Sequence, residues 1–144
     1  MAREADFIID CSSYSGSITK IIDALNKIGW NYSKDGQIEY LPLNDNDCFD
    51  WQKDSLSTEE LFSIIDQKQE QNELCGVVLY HKTTDRGITM LVRNTKEIML
   101  NIDVNRKTMR QEFTDVSWYI EMIFAKLKDI NCNVEPIKFN EIIG

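Results

Sequence analysis

The amino-acid sequence predicts an α+β fold, a mainly antiparallel sheet with helices packed against it, in one domain over residues 1–144. Three observations predict it. Apolar residues recur with helical spacing near the start of the chain, after residue 57 and after residue 114. The stretch between 74 and 104 is instead rich in β-branched and aliphatic residues with strand-like spacing. The connections inside that stretch are too short for a helical crossover, so its strands should be antiparallel neighbours. At 144 residues, one domain can hide roughly 70% of the surface its unfolded chain exposes, enough for a substantial core.

Each element follows in order. Asp6 to Cys11 reads as a first strand, ended by the turn Ser12-Ser13-Tyr14-Ser15-Gly16. Ser17 can cap a helix whose apolar residues Ile18, Ile21, Ile22, Leu25 and Ile28 share one face, and Gly29 closes it. The turn-like Ser33-Lys34-Asp35-Gly36 precedes a second strand from Gln37 to Leu43, where Pro42 favours an edge or an ending. Asn44 to Asp54 is polar and aperiodic, with Phe49 and Trp51 embedded, and is expected to be an ordered loop. Ser57 and Glu60 then form a capping box, with Leu56 and Leu61 in the staple positions, to start a second helix. Its apolar face of Leu61, Ile64 and Ile65 runs out into Gln67–Asn72, so its last turns are expected to be exposed.

Three strands follow, Leu74–His81, Ile88–Arg93 and Glu97–Val104; in the last, Ile98, Leu100, Ile102 and Val104 alternate with polar residues. A last helix starts near Thr114 or Asp115 and runs to about Asp129, with Phe113 and Trp118 as a staple around a Thr114 cap. Its stripe is Ile120, Ile123, Phe124, Leu127 and Ile130, widened by Val116, Tyr119 and Met122, which suits the main core helix. Asn133 to Phe139 reads as a short final strand interrupted by Pro136.

Composition narrows the function. The longest apolar runs, such as Val77–Tyr80, are far shorter than the roughly 18 residues a membrane span needs. The N-terminal stretch has no signal-peptide apolar region, and Cys11, Cys48, Cys75 and Cys132 show no C-x-x-C pair, so free thiols in the cytoplasm are expected. Net charge is −8, and residues 1–60 hold twelve acidic and five basic side chains, a balance of −7. Such a chain repels nucleic acid and anionic membranes, whose binding needs clustered Lys and Arg; a charged partner should be basic.

Candidate chemistry is sparse. His81, the single histidine, sits at a strand end beside Lys82 and suits a surface residue better than a general base. The six glycines form no phosphate-binding loop and no nucleophile elbow. Asp45, Asp47 and Asp50 have calcium-loop-like spacing, but position six of that frame is Asp50 and position twelve Leu56, where a glycine and a glutamate belong. No catalytic residue, metal or cofactor is therefore expected. Arg106, Lys107 and Arg110 form a small basic patch suited to internal pairing. The informative feature is the acidic cluster Asp45, Asp47, Asp50, Asp54, Glu59 and Glu60, offset only by Lys53, with Trp51 and Phe49 inside it. A solvated loop and a helix N-terminus explain part of it. The functional reading places Asp45, Asp47, Asp50, Trp51, Asp54, Glu59 and Glu60 against a basic protein partner, the acids steering association and the aromatic anchoring it.

Leu41-Pro42-Leu43 leading to Asp47-Cys48-Phe49-Asp50-Trp51-Gln52, then Asn72-Glu73-Leu74-Cys75-Gly76-Val77, Asn105-Arg106-Lys107 and Thr114-Asp115-Val116-Ser117-Trp118-Tyr119, together resemble small bacterial immunity proteins of contact-dependent growth inhibition and related polymorphic toxin systems. The resemblance spans most of the chain and implies a cytoplasmic antidote that binds the C-terminal toxic domain of a delivered effector, often a nuclease. It transfers no contact residue. A small carboxylate-dependent hydrolase, an acidic regulatory or adaptor module and an acidic mimic of DNA remain the alternatives.

Overall fold

The computed structural model describes residues 3–110 and 112–143. In chain order the elements are β1 (Arg3–Ile9), α1 (Ile18–Lys27), β2 (Trp30–Asn31), β3 (Ser33–Lys34), β4 (Gln37–Tyr40), β5 (Gln52–Asp54), α2 (Thr58–Glu70), β6 (Cys75–His81), β7 (Gly87–Asn94), β8 (Glu97–Val104), β9 (Thr108–Met109) and β10 (Phe113–Thr114). A C-terminal helix of three abutting segments, Val116–Tyr119, Ile120–Ala125 and Lys126–Asp129, then leads to β11 (Ile137–Ile143). The fold is α+β, as predicted. One sheet runs in the order β11-β1-β8-β7-β6-β4-β3, with β2 added on β6 and β5 on β4, while β9 and β10 form a separate hairpin. Every pairing is antiparallel.

Strand alternation builds the core. Register places Phe7 opposite Leu100, Leu100 opposite Met90, Met90 opposite Val77 and Val77 opposite Tyr40, so one buried row crosses five strands. Against this face pack Ile18, Ile21, Ile22 and Leu25 of α1, Leu61 and Ile65 of α2, and Tyr119, Ile123 and Leu127 of the C-terminal helix. Phe7 meets Phe124 edge-on at 5.1 Å and Tyr119 at 6.3 Å, which fixes the C-terminal helix over β1. The opposite face carries Glu4, Asp6, Met99 and Asn101, and among the described residues the helices pack on the other face. Among the described residues no helix is long and apolar enough to cross a membrane.

Several elements differ from expectation, each for a local reason. β1 begins at Arg3, because Arg3 to Asp6 pair with Ile143 to Asn140. Ser17 stands at the N-cap of α1 but makes no capping bond; Gln69 Oε1 accepts the Ile18 N–H instead, at 2.9 Å, so α2 caps α1. Asp35 and Gly36, with φ of 53° and 77°, make a tight two-residue hairpin that turns Ser33-Lys34 into strand β3. The second predicted strand stops at Tyr40, and the expected loop surrenders Gln52–Asp54 to β5. The last turns of α2 are not uniformly exposed, since Lys68 is fully buried.

The cap of the C-terminal helix is Asp115, whose Oδ1 accepts the Trp118 N–H at 3.2 Å; Thr114 is spent on Glu141 Oε2. Its centre, Ile120–Ala125, is π-wound. The wider turn rotates the predicted stripe, burying Tyr119 while leaving Ile120 46% exposed. The final strand starts beyond Pro136 and runs to Ile143.

Candidate protein-binding site

Proline at 42 ends β4, and the chain then meets four Asn and Asp residues in succession from Asn44 to Asp47. These types visit left-handed backbone most readily, and here Asn44, Asn46 and Asp47 have φ of 61°, 53° and 57°. Asp45, between them, turns inward. Its two carboxylate oxygens accept the N–H groups of Phe49 and Asp50, each at 2.9 Å, while its carbonyl accepts the Cys48 N–H at 3.1 Å. The carboxylate thus folds residues 45–50 around itself. Phe49 is left at φ 54°, a conformation costly for a bulky residue, with its ring 50% exposed.

Two anchors hold this loop on the sheet. Asn44 donates its N–H to Glu73 Oε1 at 2.9 Å, and the same oxygen lies 3.7 Å from the buried Lys68 ammonium, which also donates to the Pro42 carbonyl. Asp47 meets Arg93 of β7 at 2.7 Å. Both partners are half exposed, so this pair adds roughly 0–1 kcal/mol and chiefly positions the loop. The Trp51 ring lies against the backbone of β6 at Gly76; a Cβ there would stand 2.8 Å from Trp51 Cη2 and 2.7 Å from Leu41 Cδ1. Only glycine allows that approach.

After Trp51 the chain pairs with β4, placing Asp54 opposite Ile38 and its Oδ2 within 2.8 Å of the Tyr40 hydroxyl that donates to it. Burial first, and that acceptor second, push the Tyr40 phenol up to about 12. Ser57 accepts the Glu60 N–H at 3.0 Å and Glu60 returns the bond to the Ser57 N–H at 3.1 Å, completing the expected capping box. Glu59 points to solvent in the first turn of α2.

The residues expected at a partner surface therefore divide. Asp47, Asp50, Asp54, Glu59 and Glu60 are exposed. Asp45 is not available: 7% exposed, it is committed to two backbone bonds. Trp51 is half buried against Gly76, and the exposed aromatic of the loop is Phe49. Sequence reasoning noticed Phe49 but had no sign that one ring faces in and the other out. Arg93 was missed entirely, because nothing in the sequence links a β7 arginine to an aspartate 46 positions earlier.

Other candidates resolve into structural roles. His81 is buried, not on the surface: Trp30 lies 5.0 Å and Trp118 5.4 Å from its ring, and Nδ1 lies 3.1 Å from Thr84 Oγ1. Burial first, then Lys82, Lys126 and Arg86, hold its pKa below the usual histidine value. Arg106 pairs with Glu141 at 3.3 Å and Lys107 with Asp115 at 3.5 Å, as the internal-pairing reading expects. The four cysteines are free, and Cys48 alone of them is exposed. Among the described residues, no three His, Cys, Asp or Glu side chains converge as a metal site would require. In comparisons with known proteins, the chain matches no family model, no curated protein and no solved structure.

Proposed function

We propose that this protein is a cytoplasmic antidote that binds a basic bacterial toxin domain, a nuclease for preference, and blocks it through the segment 45–60. The observation that carries the reading is the loop built on Asp45: a strained backbone holds the Phe49 ring half in solvent beside the exposed carboxylates of Asp47 and Asp50. Strain of that kind persists only where surrounding structure over-determines it. An exposed aromatic beside carboxylates that outnumber the neighbouring cations Arg93 and Lys53 suits a basic partner with an apolar socket, the ring supplying affinity and the acids the rate of encounter. Asp54, Glu59 and Glu60 extend the same negative field along β5 and the start of α2. A nuclease's nucleic-acid groove has the matching charge, and carboxylates would stand there where phosphates otherwise sit.

The test is coexpression with the toxin domain encoded by the reading frame directly upstream. A one-to-one complex and loss of toxicity support the proposal; a toxin that stays unbound and fully active defeats it. Within a complex, Phe49→Ala should cost at least tenfold in affinity, and Trp51→Ala should act mainly through stability.

A further inference from the structure

β11 is the outermost strand of the sheet, bonded to β1 on one side, with no described strand on the other. The Asp10 N–H donates to the Pro136 carbonyl, and antiparallel alternation from that pair turns residues 138, 140 and 142 toward β1. The backbone N–H and C=O groups of Ile137, Phe139, Glu141 and Ile143 therefore point outward. Proteins normally protect such an edge by shortness, proline, a bulge or charge. This edge is seven residues long, has none of the first three, and balances Lys138 against Glu141 in a chain of net charge −8.

Exposed apolar side chains also gather there. Of the eight large apolar residues exposed among the described residues, Ile137, Ile142 and Ile143 are on β11 itself. Ile120 shares with Ile137 a surface cleft of about 700 Å³. Phe113 stacks on the Arg3 guanidinium at 4.8 Å, and Arg3 is the register partner of Ile143.

We propose that this edge pairs with a second copy of itself, β11 to β11 and antiparallel, about a two-fold axis at Asn140. The register follows from charge and shape. Centred on Asn140, Ile137 faces Ile143, Phe139 faces Glu141, and Lys138 faces Ile142, so no like charges oppose each other. Centring on Lys138 sets lysine against lysine, and centring on Glu141 sets glutamate against glutamate, both unfavourable. Centring on Phe139 sets Ile143 against residue 135, beyond the start of the strand, and so shortens the ladder. In the Asn140 register the four outward residues of each strand face those of its partner, which satisfies the open edge, and Ile143 of one copy reaches the cleft beside Ile137 of the other. The loop at 45–50 is anchored through Arg93 on β7, three strands in from β11, so it lies outside the proposed seam and a dimer would carry two of them.

Light scattering on the purified full chain should give twice the 16.8 kDa chain mass at micromolar concentration. The double variant Ile137→Lys and Ile143→Lys should return one chain mass with unchanged far-UV circular dichroism. To fix the register, Asn140→Cys in a Cys48→Ser background should form a disulfide-linked dimer with oxidised glutathione, because the two residues at the axis face each other at disulfide distance. Ile142→Cys in the same background should not. A wild-type chain that scatters as one copy at every concentration overturns the proposal, as does a dimer that survives the double lysine substitution or fails to crosslink at residue 140.

Discussion

Replacing Asp45 by alanine removes both acceptors that shape the 45–50 loop, and its consequences separate a structural aspartate from a partner contact. A hydrogen bond to an ionised group contributes about 1.5–3 kcal/mol net. Two are lost here, each 2.9 Å long. Phe49 and Asp50 are exposed residues, so water takes over the freed N–H groups, and the burial cost of the carboxylate is relieved. The net loss is therefore near the value of one such bond, about 2 kcal/mol, which for a domain of this size lowers Tm by roughly 6 °C. Asp45→Asn keeps one acceptor oxygen and should lose about half as much. Urea denaturation followed by tryptophan fluorescence gives the energy, and amide hydrogen exchange gives the site: the Phe49 and Asp50 amides should lose protection while the β6 to β8 amides keep theirs. If Asp45→Ala leaves stability and both amides unchanged but weakens toxin binding, Asp45 acts as a contact and the template account is wrong.

Two further predictions follow from buried contacts. Gly76→Ala puts a methyl group under 3 Å from Leu41 and Trp51, and overpacking of this kind should cost about 1–3 kcal/mol, read as a lower urea midpoint with Trp51 emission shifted to the red; an unchanged midpoint and spectrum would show that Trp51 does not press on β6. His81 stays neutral in the folded state to a lower pH than in the unfolded chain, which takes up its proton near the ordinary value of 6.5. Its contribution to stability is thus complete above that pH and is lost as pH falls below it toward the lower folded-state value, so His81→Phe should flatten the stability profile on the acid side of neutrality. Wild type and variant with parallel profiles would contradict the burial of that ring.

The parts of the fold legible in the sequence are those fixed by nearest-neighbour physics. The α1 stripe, the Ser57–Glu60 capping box and the three central strands follow from spacing and local hydrogen bonding, and they stand close to where expected. What was not legible depends on distant partners. Gln69 replaces Ser17 as the cap of α1 across 51 positions, and β11 is extended to Ile143 by pairing with β1 at the other end of the chain. The π-wound centre of the last helix has no periodic signature, so the outward turn of Ile120 was unpredictable from its spacing. The candidate site shows the same division. Its acidity is a matter of composition, and Asp47, Asp50, Asp54, Glu59 and Glu60 are indeed exposed. Which aspartate turns inward and which aromatic turns outward is decided by Asp45, Gly76 and Arg93 together, three positions from three elements.

The claim on which the function rests is that the carboxylates beside Phe49 steer a basic toxin domain into contact. It is tested most directly by stopped-flow association of the chain with the toxin domain from the adjacent reading frame, measured across ionic strength. For wild type the association rate should fall steeply as salt rises, and Asp50→Lys with Glu59→Lys, which spare the Asp47–Arg93 anchor, should slow association at low salt and flatten that dependence while dissociation changes less. Rates that ignore salt, or that are the same in wild type and the charge-reversed variant, would contradict it.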